Sequence, residues 1–186
     1  IEESIEVSNE NLANSFNGSL LVATVVVLSF LTLYYLGNKI VAKADSLNFS
    51  KPVAIGLMIS IGIGLHNFGE GLAIGAAVGI GSIAFSTFLI VGFALHNTTE
   101  GIAIAAPMSR GKLMIGKLAI MGMIAGTPAI FGAWIGGFAY SPFTSVIFLA
   151  IGAGAIFQVI LVLMRWIQKE NDGNLSTLSV VSGFAI

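Results

Sequence analysis

The chain has 186 residues, of which 56% are hydrophobic and only 9% are charged, and its formal net charge is −1. Soluble domains carry about 25% charged residues, so this composition excludes a water-facing globular surface and indicates a protein embedded in a lipid bilayer. The near-neutral charge gives no sign of a nucleic-acid partner, and the absence of cysteine excludes disulfides, thiolate metal sites and iron–sulfur clusters.

In chain order, residues 1–19 are polar and acidic, and we expect an external tail or loop there, followed by one transmembrane domain over residues 20–186. A helix needs about 20 apolar residues to cross a bilayer. Runs of that length predict five full spans, at residues 20–38, 53–78, 84–107, 113–138 and 143–165, and a sixth that begins near residue 177. Because backbone polar groups must be satisfied inside lipid and strand-like alternation is absent, the predicted fold is an all-α polytopic transmembrane helix bundle. The chain opens on Ile and stops within an apolar run, so we expect a fragment of a longer protein.

Small residues recur at four-residue spacing within two of the predicted spans, at Gly71, Gly75 and Gly79 and again at Gly132 and Gly136. Helices in lipid approach closely where small residues align in this way. We therefore expect both spans to pack tightly against neighbouring helices.

The basic residues predict the orientation of the bundle. All eight fall at, or within a few residues of, the three connections on one side of the predicted spans: Lys39, Lys43, Lys51, Arg110, Lys112, Lys117, Arg165 and Lys169. Because basic loops lie on the cytoplasmic side of a membrane, we expect these connections to be cytoplasmic and the N-terminal tail to be outside. The plasma membrane is the expected location. The first span then runs inward, the second outward and the third inward.

Two copies of one polar motif lie inside neighbouring spans, "GLHNFGEGLAIG" at residues 64–75 and "ALHNTTEGIAIA" at residues 94–105. Their polar positions are His66, Asn67 and Glu70 in the first copy and His96, Asn97 and Glu100 in the second. Ionisable groups inside spans cost about 2.5–3.5 kcal/mol each and persist mainly in a protein interior or a wet cavity. In each copy the His and Glu are four residues apart and share a helix face. Both copies fall about 20 Å into their spans. We therefore expect them to face each other near the midplane, as in a transporter site.

The side chains of the two motifs predict a metal site. Two imidazoles, two carboxylates and two amide oxygens suit a divalent first-row ion, Zn²⁺, Fe²⁺ or Mn²⁺. Cd²⁺ can bind to the same ligands as a competing ion. Such an ion would offset both negative charges and couple its entry to proton release. Two alternatives stay open at this point: His–Glu hydrogen bonds that only hold the bundle together, and a proton relay without metal.

The segments "HNFGEGLAIG" and "HNTTEGIAIAAP" resemble the fourth and fifth helices of the ZIP family of metal transporters. That family carries "HN-x-P-[DE]-G" in one helix and "HE-x-P-HE" or "HN-x-P-EG" in the next. The resemblance covers essentially the entire chain, with residues 1–19 similar to the end of the second helix and the loop that follows. It implies eight helices in the intact protein, arranged with an inverted repeat. The first helix and most of the second are then missing from this chain.

The resemblance implies the import of divalent metal, zinc above all, into the cytoplasm, without enzymatic activity. His66, Glu70, His96 and Glu100 match the positions of the main transport site. Asn67 and Asn97, which share the two glutamates, match a secondary neighbouring site. The implied partners are the metal ion and the lipid bilayer, and a homodimer is left open.

Three positions depart from the family pattern. Gly69 and Thr99 stand where the family has proline, and Thr127 precedes Pro128 where many relatives have glutamate. The last change removes a carboxylate from the implied secondary site. Gln158, in the predicted span 143–165, either lines the transport path or forms a hydrogen bond with a neighbouring helix.

A different class of function remains as the alternative, an intramembrane zinc-dependent hydrolase. Such an enzyme needs a zinc ion with an open coordination position and a general base. Metalloproteases supply these with "HExxH" and a distant aspartate, whereas Asn67 occupies the glutamate position here and the predicted spans contain no Asp. The symmetry of the two motifs also favours a transport path.

Overall fold

The computed structural model describes residues 18–44, 46, 49–109, 115–139 and 141–170, with the side chains of residues 142 and 170 excepted. Its helices are α1 (Gly18–Ala42), α2 (Lys51–Gly79), α3 (Ile83–Ala105, continued by a 3₁₀ turn over Ala106–Met108), α4 (Ile115–Phe138) and α5 (Pro142–Glu170). No strand occurs in these ranges, so the all-α prediction is confirmed for them. All five are long and apolar enough to cross a membrane. The predicted sixth span, the start of the fourth at residue 113 and all but the last two residues of the tail lie outside the described residues.

Helix α2 is the central element of the bundle. It packs against α3, α4 and α5, most extensively along α4, while α1 packs mainly on α5. Sixteen of its 29 residues are buried. Because no hydrophobic force drives apolar helices together inside lipid, van der Waals packing and interhelical bonds must hold these contacts. α2 is therefore the framework on which neighbouring helices are placed.

The ends of α2 follow from the backbone chemistry of the residues there. Pro52 lies in the first turn, where a missing N–H removes no helical hydrogen bond. At the other end, Gly81 takes a φ of 77°, a conformation that residues with a side chain rarely adopt. Residues 80–82 thereby reverse the chain into α3. Helices α2 and α3 consequently form an antiparallel pair joined by a short turn.

The glycine series is the reason why α2 and α4 approach so closely. A Cβ atom added to any of four glycines would overlap a backbone carbonyl of the facing helix: Gly71 and Gly75 of α2, and Gly132 and Gly136 of α4. Gly79 is slightly less confined, since its Cβ would lie 3.2 Å from the carbonyl oxygen of Gly137. The prediction of tight packing at both series is confirmed, and the two series pack against each other.

A hydrophobic cluster fills the half of the bundle that surrounds the N-terminal part of α2. Its buried members are Val53, Ile59, Ile63, Ile104, Met108, Met121, Ala125 and Val159. Ile59 and Ile63 are at most 1% exposed, so this face of α2 is tightly packed at these two positions. The polar residues of the first motif begin one turn beyond this cluster.

Candidate metal centre

The two motifs lie at the same distance from the turn that joins their helices. His66 precedes the last residue of α2, Gly79, by 13 positions, and His96 follows the first residue of α3, Ile83, by 13 positions. At 1.5 Å per residue, both histidines are about 20 Å from the turn. The antiparallel pairing of α2 and α3 therefore brings the motifs to one depth, and the expectation that they face each other is confirmed by the contacts below.

Glu70 is the residue that joins the two copies. Its Oε1 lies 2.8 Å from Nε2 of His96 on α3 and 3.3 Å from Nε2 of His66 on its own helix. Nε2 of His96 also lies 3.7 Å from Oε1 of Glu100, one turn along α3. Glu70 thus pairs with imidazoles from both helices, whereas the ion pair described for Glu100 is with the histidine of its own helix.

Three of the predicted ligands form a compact group. The ligand atoms of His66, Glu70 and His96 all lie within 4.8 Å of one another, and the two imidazole rings stack at a centroid distance of 5.9 Å. Ligands of a tetrahedral zinc ion are about 3.3 Å apart, given metal–nitrogen distances near 2.0–2.1 Å. The group therefore needs only a modest contraction to coordinate a metal ion. Glu100 lies beside this group, because its Oε1 is 3.7 Å from Nε2 of His96.

Four side-chain oxygens of the predicted site are buried without a hydrogen-bond partner among the described residues. They are Oδ1 of Asn67, Oε2 of Glu70, Oδ1 of Asn97 and Oε2 of Glu100. Leaving a buried acceptor unpaired costs about 1–3 kcal/mol, and more when it is charged. All four atoms are hard oxygen ligands for a metal ion. Together with the two imidazoles they make up the set of nitrogen and oxygen ligands that suits a divalent first-row ion.

Asn67 is anchored to a third helix. Its Nδ2 donates a hydrogen bond of 3.1 Å to the backbone carbonyl of Ala125 in α4. This bond fixes the amide so that its Oδ1 is the atom left without a partner. Sequence reasoning missed Ala125, because a backbone carbonyl carries no residue-type signal. Gly152 of α5 was missed as well: a Cβ there would lie 3.2 Å from Cα of His66, so only glycine keeps this approach unstrained.

The two halves of the site differ in exposure. The side chains of Glu70 and His66 are 7% and 28% exposed, against 14% and 44% for Glu100 and His96. The α3 side of the site is therefore the open side in the described part of the chain. The α2 side is enclosed by α4 and α5.

The departures from the family pattern have local structural outcomes. Both α2 and α3 continue as helices through Gly69 and Thr99. The Thr99 hydroxyl donates a 2.6 Å hydrogen bond to the carbonyl of His96. Thr127 is exposed on α4 and supplies no carboxylate, so the described contribution of α4 to the site is the carbonyl that binds Asn67.

Gln158 is buried to 99%, and neither atom of its amide has a hydrogen-bond partner among the described residues. The interpretation that it forms an interhelical hydrogen bond is therefore wrong for this part of the chain. Its amide oxygen lies beside Gly62, one turn before His66, where a Cβ would be 3.3 Å from it. The alternative interpretation, a residue of a transport path, stays a prediction.

Comparisons of the chain with known protein families, with curated proteins and with solved structures gave no match.

Proposed function

We propose that this chain is part of a membrane transporter of the ZIP type that moves divalent metal ions into the cytoplasm, with zinc as the main substrate. The observation that carries the proposal is the contact of Glu70 with His66 and His96, which joins two copies of one motif at equal depth. A duplicated site between antiparallel helices at mid-membrane is the arrangement typical of secondary transporters.

The donor set favours a divalent cation as the substrate. Two carboxylates in a low-dielectric interior repel each other, and a bound dication removes this repulsion while it occupies the unpaired oxygens of Glu70 and Glu100. Imidazole and carboxylate ligands without thiolate suit Zn²⁺, Fe²⁺ and Mn²⁺, and they also admit Cd²⁺. The same charge balance links metal binding to the loss of a proton from the carboxylate and imidazole groups.

The packing around the site supports a transport cycle in which one helix moves. α2 is held by α4 and α5, whereas α3 makes few buried contacts and carries the more exposed half of the site. The hydrophobic cluster around Ile59 and Ile63 surrounds the N-terminal part of α2. If the basic connections are cytoplasmic, as we propose, the cluster lies on the cytoplasmic side of the site and is the packing that a transport cycle would have to rearrange.

Transport is proposed in preference to zinc-dependent hydrolysis because the two triads are alike. A hydrolase needs one general base aimed at a metal-bound water, and the position next to His66 is Asn67, a carboxamide that cannot take up a proton at neutral pH. A purely structural role would leave the four buried oxygens unexplained. Residence in the plasma membrane is a further part of the proposal, and a homodimer is left open.

Uptake into proteoliposomes that contain a zinc-responsive dye tests the function directly. We expect external Zn²⁺ to raise the dye signal in vesicles with the intact wild-type protein that contains this chain, and not in vesicles with its Glu70→Gln, Glu100→Gln double variant. The matched control is Ser86→Ala, because Ser86 lies on α3 and its hydroxyl donates its described hydrogen bond to the carbonyl of Ile83 in the same helix. Peptide cleavage without uptake would support the hydrolase. The proposal would be refuted if the wild type shows neither uptake nor cleavage and the double variant binds zinc as tightly as the wild type.

A further inference from the structure

Helices α1 and α5 enclose an apolar groove that lies apart from the candidate metal centre. It has a volume of about 450 Å³ and is lined by Val26, Val27, Phe30, Phe157, Ile160, Leu161 and Met164. The lining spans two turns of α5, about 10 Å along the helix axis. Its residues are fully apolar, and Val27 and Phe157 are about half exposed. The groove is therefore open to the membrane, and its described lining offers no polar side chain.

A cationic group stands at one end of this groove. Arg165 directly follows Met164, and both terminal nitrogens of its guanidinium lie 3.3 Å from the hydroxyl of Tyr34 on α1. The guanidinium also lies 5.0 Å from the centroid of the Tyr34 ring, and this ring stacks on Phe30 of the groove wall. The described carboxylates, Glu70 and Glu100, both belong to the candidate metal centre. The positive charge is thus held in place by a neutral phenol and remains uncompensated within the described side chains.

We propose that the groove between α1 and α5 binds one anionic phospholipid, with an acyl chain along the apolar wall and the phosphate on Arg165 and Tyr34. The guanidinium presents several donors in a fixed plane, which matches the oxygens of a phosphate. Lys169 is one helical turn beyond Arg165 on the same face of α5 and adds positive charge on the headgroup side. Basic pockets between transmembrane helices at the cytoplasmic surface are typical sites for such lipids.

Charge complementarity decides between a lipid and the other occupants of an apolar groove. The groove lining of a second copy and the apolar residues after 176 contain no acidic side chain that could pair with the guanidinium. A zwitterionic lipid carries its own cation next to the phosphate and gains less from Arg165 and Lys169. An anionic phospholipid satisfies both the apolar wall and the charged end.

Native mass spectrometry of the full chain in mild detergent tests this site. We expect adducts of phosphatidylglycerol at a concentration about five-fold lower than adducts of phosphatidylcholine with the same acyl chains. Arg165→Gln should remove this preference, and Leu161→Trp, which fills the groove, should weaken both adducts. The matched control is Lys117→Gln, which removes one positive charge from α4, where the ammonium lies over the ring of Phe49. An excess of glycerol 3-phosphate, a headgroup without acyl chains, should not displace the lipid.

Equal adducts of the two lipids, or the same loss in Arg165→Gln and Lys117→Gln, would overturn the proposal. Displacement by glycerol 3-phosphate would overturn it too, because the groove would then play no part. Arg165→Lys keeps the charge without the planar donor set and should retain part of the preference, which covers the case in which Arg165→Gln does not fold. None of these measurements involves a metal ion, so their result is independent of the zinc-uptake experiment.

Discussion

The two copies of the motif have the same polar residues at the same depth, but they lie in opposite surroundings. Sixteen of the 29 residues of α2 are buried, while only Ser86 and Ile104 are buried among the 23 residues of α3. Glu70 pairs with both histidines, and the ion pair described for Glu100 is with one. Identical chemistry is thus divided between a fixed half and an open half, and the difference arises from the neighbours of each helix.

Glycine packing explains the difference between the two halves. Gly71 directly follows Glu70 and meets a backbone carbonyl of α4, whereas Gly101 directly follows Glu100 and has nothing within 4 Å of an added Cβ. Gly92 of α3 is equally unconfined. A glycine follows the glutamate in both copies of the motif. In the described part of the chain, only the glycine of the α2 copy packs closely against a neighbouring helix.

The largest expected difference between the halves concerns metal binding. Glu70→Gln should weaken zinc binding by about 100-fold or more, because the lost carboxylate contacts imidazoles of both helices, and Glu100→Gln should weaken it by about ten-fold. Isothermal titration of zinc into each purified variant measures both values. Equal losses of zinc affinity in the two variants would show that both halves contribute equally to binding, which would contradict the difference proposed between them.

The next effect concerns folding, and the repeat supplies a matched pair. Gly71→Ala should lower the free energy of unfolding by about 1–3 kcal/mol, because the new methyl group overlaps the backbone of α4. Gly101→Ala should be neutral or stabilising by about 0.5–1 kcal/mol, since alanine is the better helix former and space is open there. Thermal unfolding in detergent, followed by circular dichroism, gives the comparison. A destabilised Gly101→Ala variant would mean that another part of the assembly covers this face of α3.

The smallest effect concerns the two asparagines. Asn67→Leu breaks the hydrogen bond to the carbonyl of Ala125 and should cost about 0.5–1.5 kcal/mol of stability, beyond any effect on packing. Asn97→Leu removes an amide oxygen that has no described partner and should cost less or stabilise the fold. The same unfolding measurement applies without metal, and a larger cost at Asn97 would reverse the assignment of the fixed and open halves.

Much of this arrangement follows from the sequence. Apolar runs predicted helices in the right places, and the 30-residue repeat predicted that the motifs face each other, because helices joined by a short turn must run antiparallel. The extension of α5 to residue 170 was not predicted, because Arg165 and Lys169 end the apolar run. The helix continues past them because long basic side chains can extend their charged ends into water. The unequal burial of α2 and α3 was also beyond prediction: the two helices are nearly equally apolar, and burial depends on which partner supplies facing glycines. The anchoring of Asn67 by a carbonyl depends on tertiary placement alone.

The turn at Gly81 has a consequence for how this hairpin can change over time. Both arms count 13 positions from the turn to the histidine, so a single inserted or deleted residue in one arm would shift that imidazole by about 1.5 Å and swing it by about 100° around the helix. The carboxylate of one helix would then no longer reach the ring of the other. A matching insertion in the other arm would restore the common depth but would rotate both rings, so length changes are tolerable only outside the two segments between the histidines and the turn.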